Sequence, residues 1–167
     1  PFCYPQPLVY STDIGIYLNL STCTSNVVIE PYRDAPVKFS NTLIIVCSDN
    51  GWQMPRGLAN CYDFGTRIPL IISMPAKYKG GRIADDFVSL NDFAPTFLEL
   101  AGIPIPGEMN ARSFLNILES EKNGTIDKTR DFVVTGRERH AFVRKNGAGY
   151  GCLAYHTKDY LYLRNYD

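Results

Sequence analysis

The chain has 167 residues, 45% of them hydrophobic and 20% charged, which is one domain's worth of globular sequence and excludes a disordered polymer or a coiled coil. Lys plus Arg and Asp plus Glu both number 17, so no global field favours nucleic acid or an anionic membrane, and any anion must be bound by a local site. No apolar run approaches the roughly 20 residues needed to span a bilayer, and the N-terminal Pro-Phe-Cys-Tyr-Pro-Gln-Pro carries neither a basic n-region nor an h-region.

Cys3, Cys23, Cys47, Cys61 and Cys152 show no C-x-x-C spacing, which argues against zinc or a thioredoxin-type pair, and their odd number leaves at least one thiol free. Asn19-Leu-Ser and Asn123-Gly-Thr fit the glycosylation acceptor pattern, a tripeptide that also arises often by chance.

Residues 1 to 40 are interrupted by prolines and read as irregular, with one short element near Asp13 to Leu20 that is either a helical turn or an edge strand. Thr42 to Cys47 is a continuous β-branched and apolar run, read as a strand buried on both faces. Ser48-Asp-Asn-Gly51 ends it, either as a plain turn or as a tip presenting Asp49 and Asn50 where open α/β sheets bind ligands. A loop from Gly51 to Gly65 follows, whose aromatic content argues for order.

Ile68 to Pro75 reads as a second strand bracketed by Pro69 and Pro75, and Lys77 to Arg82 as an exposed turn around Gly80-Gly81. Asn91 to Gly102 carries the clearest helix signal. Asn91 or Asp92 is the expected cap, Phe93, Phe97, Leu100 and Ala101 the apolar face, and Gly102 with Pro104 the stop. Ser113 to Glu119 predicts a shorter helix with Phe114, Leu115 and Leu118 inward, and polar Glu119 to Lys128 reads as a boundary. Asp131 to Thr135, Gly151 to His156 and Tyr160 to Arg164 read as strands of a small antiparallel sheet.

Two constellations carry chemistry. Asp49 and Asn50 are hard oxygen donors suited to Ca²⁺ or Mg²⁺, although such ions need several more ligands. Gly136-Arg-Glu-Arg-His140 puts Arg137, Arg139, Glu138 and His140 at a strand end. Such a cluster suits an anionic substrate, and it is equally readable as a solvated turn in which an arginine pairs with Glu138. Arg56, the only basic residue of the Gly51–Gly65 loop, is either a charge stabiliser for a bound anion or an ordinary surface residue. With His140 and His156 the only histidines, no His-rich zinc cluster is suggested.

Asn41-Thr-Leu-Ile-Ile-Val-Cys-Ser-Asp-Asn-Gly51, Tyr62-Asp-Phe-Gly-Thr-Arg-Ile-Pro-Leu70 and Val88-Ser-Leu-Asn-Asp-Phe-Ala-Pro-Thr-Phe-Leu-Glu-Leu-Ala-Gly-Ile103 together resemble the second half of a sulfatase catalytic domain. Thr135 to His140 with Thr157 to Asn165 is similar to the C-terminal part of the heparan N-sulfatase-like branch, so the resemblance covers residues 41 to about 166. It implies a partial alkaline-phosphatase-like α/β sandwich with a small C-terminal antiparallel sheet. The implied division is residues 1–40 as a poorly matched segment, 41–120 as the C-terminal half of the catalytic domain and 121–167 as an incomplete C-terminal sheet subdomain.

The resemblance also implies Ca²⁺ held partly by Asp49 and Asn50, Arg56 as a catalytic charge, and Arg137, Glu138 and His140 facing a sulfated carbohydrate. The nucleophile is implied to be a formylglycine whose hydrated aldehyde attacks sulfur. Its Cys- or Ser-x-Pro-x-Arg motif and the first aspartate pair are not in the chain, since Cys3-Tyr-Pro-Gln-Pro7 has Pro7 where arginine belongs and lies too near Asp49. Leu58 stands where relatives carry a base after the loop glycine.

The expectation is therefore a sulfatase of sulfate esters or sulfamates, inactive as this piece alone, and periplasmic, secreted or lysosome-like in the full-length protein. Two alternatives remain open, a phosphoesterase of the same superfamily and a non-catalytic remnant that binds sulfated glycans.

Overall fold

In the computed structural model the described residues are 16–18, 41–139 and 144–166. The first sheet has the order β2–β3–β1–β4, with β1 at Ile16–Leu18, β2 at Ile44–Cys47, β3 at Leu70–Ser73 and β4 at Arg82–Ala84. β2 and β1 both run antiparallel to β3, with Ile45 opposite Ile72 and Tyr17 opposite Ile71, while β1 pairs in parallel with β4. The short element expected near Asp13 to Leu20 is thus a strand, and it lies inside the sheet rather than at its edge.

β2 departs from expectation in the other direction. It is the edge strand of this sheet among the described residues, and Ile44, Ile45 and Val46 are half-buried while Cys47 is exposed. Leu43 and Ile45 pack on the core, so a single face is covered, and an apolar run alone does not tell one covered face from two.

The core gathers Leu70, Ile72, Tyr78 and Ala84 from the sheet side and Phe114, Leu115, Ile117 and Leu118 from α3 (Leu115–Glu119) and its cap. Inward Phe114, Leu115 and Leu118 follow the sequence pattern, and Ile117 joins them.

Strand β4 was hidden in the sequence behind Gly80-Gly81 and a charge. Arg82 is not on an exposed turn but 4% exposed, and its guanidinium donates to the carbonyls of Ile117 (3.3 Å), Leu118 (2.8 Å) and Lys122 (3.3 Å). These carbonyls lie at and just beyond the C-terminal turn of α3, where helical partners run out and a cation is favoured.

Residues 119–128, expected as a loose boundary, are tied to β4. Gly124 pairs with Ala84, Asn123 Oδ1 accepts from the Ile83 amide at 2.8 Å, and Asp86 accepts from the amides of Ile126 and Asp127.

Helix α2 spans Phe93–Leu100 behind a 3-10 turn at Leu90–Asp92. Asp92, one of the two expected residues, holds the N-cap position of α2, and the side-chain cap belongs to Ser89 at the start of the 3-10 turn rather than to Asn91. Ser89 Oγ accepts from the Asn91 amide while Asp92 Oδ2 accepts from the Ser89 amide. Phe93 and Leu100 pack on the core as expected, with Phe93 edge-on to Phe114 at 5.8 Å. Phe97 and Ala101 are exposed, and Pro95 and Thr96 take the buried positions instead. Thr96 is accommodated because its hydroxyl donates to Asp92 O (2.6 Å) and accepts from the Phe114 amide (3.0 Å).

The second sheet is antiparallel with the order β5–β6–β7, formed by Phe132–Arg137, Gly151–Thr157 and Leu161–Tyr166. Val133 faces His156 and Arg137 faces Cys152 across β5–β6. Alternation puts Cys152, Ala154 and His156 on the buried face of β6.

Candidate functional site

A cleft runs between the tip of β2 with its following loop and the inner face of the second sheet, lined by Asp49, Asn50, Leu58, Arg67, Arg137, Arg139 and His156 among others. At the tip, the Ser48 hydroxyl donates to Asn50 O at 2.7 Å. The chain bends there, as a turn reading expects, and Asp49 and Asn50 are exposed.

The loop that follows is closed on itself. Gly51 N–H donates to Gly65 O at 3.0 Å, Trp52 N–H to Phe64 O at 3.1 Å, and Leu58 N–H to Trp52 O at 2.6 Å. Gly51 is required there, because a Cβ would run into the Phe64 carbonyl. Helix α1 (Asp63–Thr66) ends the loop. Arg56 and Ala59 hold left-handed backbone angles, φ 65° and 62°, which cost free energy for side chains with a Cβ and are sustained by the surrounding hydrogen bonds.

The sequence-derived candidates separate in space. Asp49, Asn50 and Arg137 share the cleft. Arg56 is exposed with its guanidinium 5.7 Å from the Tyr62 ring centre and does not line the cleft. Glu138 is exposed and offers its backbone carbonyl to Tyr150 N–H at 2.9 Å. His140 lies outside the described residues. Arg137 is committed to a joint, since its guanidinium donates to the Ala59 carbonyl and sits 4.7 Å from the Tyr150 ring centre, with Arg144 4.2 Å from the same ring.

His156 was missed as a site residue. It is 7% exposed, with Nε2 3.4 Å from Thr66 Oγ1 and 3.5 Å from Thr135 Oγ1, and Nδ1 3.8 Å from Asp63 Oδ1. Burial drives its pKa below the ordinary imidazole value, Arg67 adds to that effect, and Asp63 and the Cys61 backbone oppose it. Its only signal in the sequence is the two-residue alternation of β6, since Thr66 lies 90 positions away and Thr135 21.

Asp49 and Asn50 have the donor chemistry of a calcium ligand pair. Among the described residues, however, no group of three or more His, Cys, Asp or Glu side chains is placed to hold a metal ion. Two oxygen donors fall short of the six to eight that calcium takes.

The class comes first from the architecture: an α/β layer joined to a small antiparallel sheet, of the alkaline-phosphatase-like fold. A solved protein in complex with its substrate D-glucosamine-2-N,6-O-disulfate shares it at a TM-score of 0.59 and 25% identity, over 77% of this chain and 28% of that one. Residues 55–134 match the family described as N-sulphoglucosamine sulphohydrolase, C-terminal.

The chain is 38% identical over 104 residues to the human N-sulphoglucosamine sulphohydrolase, covering 56% of this chain and 20% of that protein. It is 30% identical over 99 residues to an extracellular sulfatase SULF-1 homolog of Drosophila melanogaster, covering 56% and 9%. The matched stretch is similar to the C-terminal part of sulfatases, and the chain spans about a fifth or less of the length of these relatives.

Proposed function

We propose that this chain belongs to a hydrolase of sulfate esters or sulfamates on carbohydrates and supplies one wall of its active site. The observation that carries the reading is the shared cleft, which Asp49, Asn50, Arg137 and Arg139 all line. Oxygen donors at a strand tip suit a hard cation, and the guanidinium of Arg139 suits the anionic group of a sugar sulfate. The sulfated glucosamine in the structural neighbour and the names of the relatives support a glycosaminoglycan-type substrate.

In the complete enzyme, Asp49 and Asn50 would hold part of a calcium ion's coordination, and the ion would supply charge neutralisation for the sulfate. Arg137 positions the Gly51–Gly65 loop through Ala59, Glu138 and His140 keep the substrate-facing role that the resemblance implies, and Arg56, beside Tyr62 and outside the cleft, is assigned to the loop rather than to the bound sulfate. The protein is secreted, periplasmic or lysosome-like, a reading supported by the extracellular Drosophila relative. No helix of the described residues is long and apolar enough to cross a membrane.

Titration calorimetry with a heparin-derived sulfated disaccharide and its desulfated counterpart tests the reading. We expect preference for the sulfated sugar, weakened by Arg139→Gln and by salt. Equal binding of both sugars refutes it. We also expect no turnover of an aryl sulfate by this chain with calcium present. Turnover that disappears in Asp49→Ala would mean that the chain completes its own site.

A non-catalytic sulfated-glycan binder remains as a second reading because Leu58, an apolar residue, lines the cleft where the resemblance leads one to expect a base. Recovery of a nucleophile motif upstream in the same coding region, with turnover by the longer protein, decides against it.

A further inference from the structure

We propose that Cys61 and Cys152 form a disulfide in an oxidising compartment, a covalent staple between the loop that follows the β2 tip and the second sheet. The two residues are 91 positions apart in sequence, and Cys61 Sγ lies 3.8 Å from the Cys152 carbonyl oxygen. Both are buried, 4% and 6% exposed, and they form one cluster with Ala154 against Leu163. Both are free thiols in this structure, as is the exposed Cys47.

The contact is not an isolated touch. Cys152 stands opposite Arg137 in the β5–β6 register, and Arg137 donates to Ala59 O, two residues before Cys61. Two independent contacts thus fix residues 59–61 against the same point of the sheet. Burial, reinforced by the adjacent Cys152 thiol, pushes the Cys61 thiol up to about 11, which keeps Cys61 protonated and slow to react until the loop opens.

The oxidant is a low-molecular-weight disulfide. On transient opening, one protein thiol loses its proton and attacks a sulfur of that disulfide, releasing one small thiolate. The second protein thiolate then attacks the protein-bound sulfur of the mixed disulfide, releasing the other. Two S–H bonds and one external S–S bond are lost, and one protein S–S bond and two small thiols form. The protein gives up two electrons, and its two protons end on the released thiols.

The functional consequence is local. The staple holds the loop beside Asp49 and Asn50, whose far end is already closed by the Gly51–Gly65 hydrogen bond. Because it closes a long stretch of chain, it restricts the unfolded state strongly.

The test equilibrates the full 167-residue chain in glutathione buffers of increasing oxidised fraction. Free thiols are then blocked, the protein is digested without reduction, and the peptides are mapped by mass spectrometry. The expected result is a linked peptide pair containing Cys61 and Cys152, and a melting temperature higher by about 5–15 °C in the oxidised form. In Cys61→Ala that dependence on the redox buffer disappears. Recovery of both residues as blocked free thiols in the most oxidising buffer overturns the proposal, as does pairing of either with Cys3, Cys23 or Cys47. If Cys61→Ala does not fold, the peptide map of the unsubstituted chain decides alone.

Discussion

Arg130 Nη1 meets Asp92 Oδ2 at 2.8 Å where the two residues are only 3% and 8% exposed. The pair ties the start of α2 to the stretch leading into β5. Arg130 also donates to the carbonyls of Phe87, Arg112 and Ser113, and Asp92 accepts from the amides of Ser89 and Arg112. A buried ion pair is weak evidence for net stability, but removing one partner leaves the other charged and unmatched. Arg130→Met should therefore lower unfolding stability by about 3–5 kcal/mol, read from the urea midpoint. An unchanged midpoint would mean that water reaches Asp92 freely.

How much of this was legible in the sequence depended on the distance to the partner. The tip at Asp49-Asn50 and helix α2 were readable because a β-branched run, turn formers and a helix stop all act within a few residues. Asp92 was readable as a helix-start residue but not as a hub, because Arg130 lies 38 residues away. Arg82 was taken for a turn residue for the same reason, since its partners at Ile117 and Leu118 are 35 and 36 positions on. Asp49, Asn50 and Arg137, expected from type and position, line one cleft. The commitment of Arg137 to Ala59 was invisible, and His156 showed only as a buried position in the alternation of β6, because its contacts with Thr66 and Asp63 leave no local pattern.

His156 predicts a pH dependence of definite sign. Its folded pKa is depressed, so over the interval below the unfolded value of 6.5 the unfolded state binds more protons than the folded state. The contribution of this residue is therefore fully present above that value and is lost as pH falls from 6.5 towards the folded pKa. Melting temperatures taken from pH 5 to 8 should show a downward limb on the acid side that flattens in His156→Gln. Asp63 and Arg67 face the ring, so Asp63→Asn should steepen the limb by removing the charge that favours protonation. A limb of equal slope in His156→Gln would assign the effect to another group.

Gly51→Ala should damage the tip and its loop together. An added Cβ meets the Phe64 carbonyl and the Gly65 backbone, neither of which is a flexible side-chain end, so the Gly51–Gly65 closure must open. Overpacking of this kind costs about 1–3 kcal/mol. Hydrogen exchange should show the amides of Gly51, Trp52 and Leu58 losing protection while β6 keeps its own. Retained protection at Trp52 with normal stability would contradict the closed-loop geometry.

Leu58→Lys tests whether the cleft is an anion site lacking one charge. Leu58 is half-buried on the cleft wall, and a lysine placed there can lay its methylene stem along the same surface while carrying the ammonium into solvent. One added positive charge near a bound sulfate is worth about 1 kcal/mol at a wet surface, which corresponds to about fivefold in affinity. The sulfated disaccharide should therefore bind about fivefold more tightly at low ionic strength, with the gain shrinking as salt screens it and with the desulfated sugar unaffected. Leu58→Met, which keeps the volume without the charge, should leave affinity unchanged. An equal gain for both sugars, or a gain indifferent to salt, would assign the effect to the added stem and remove the case for a sulfate beside this position.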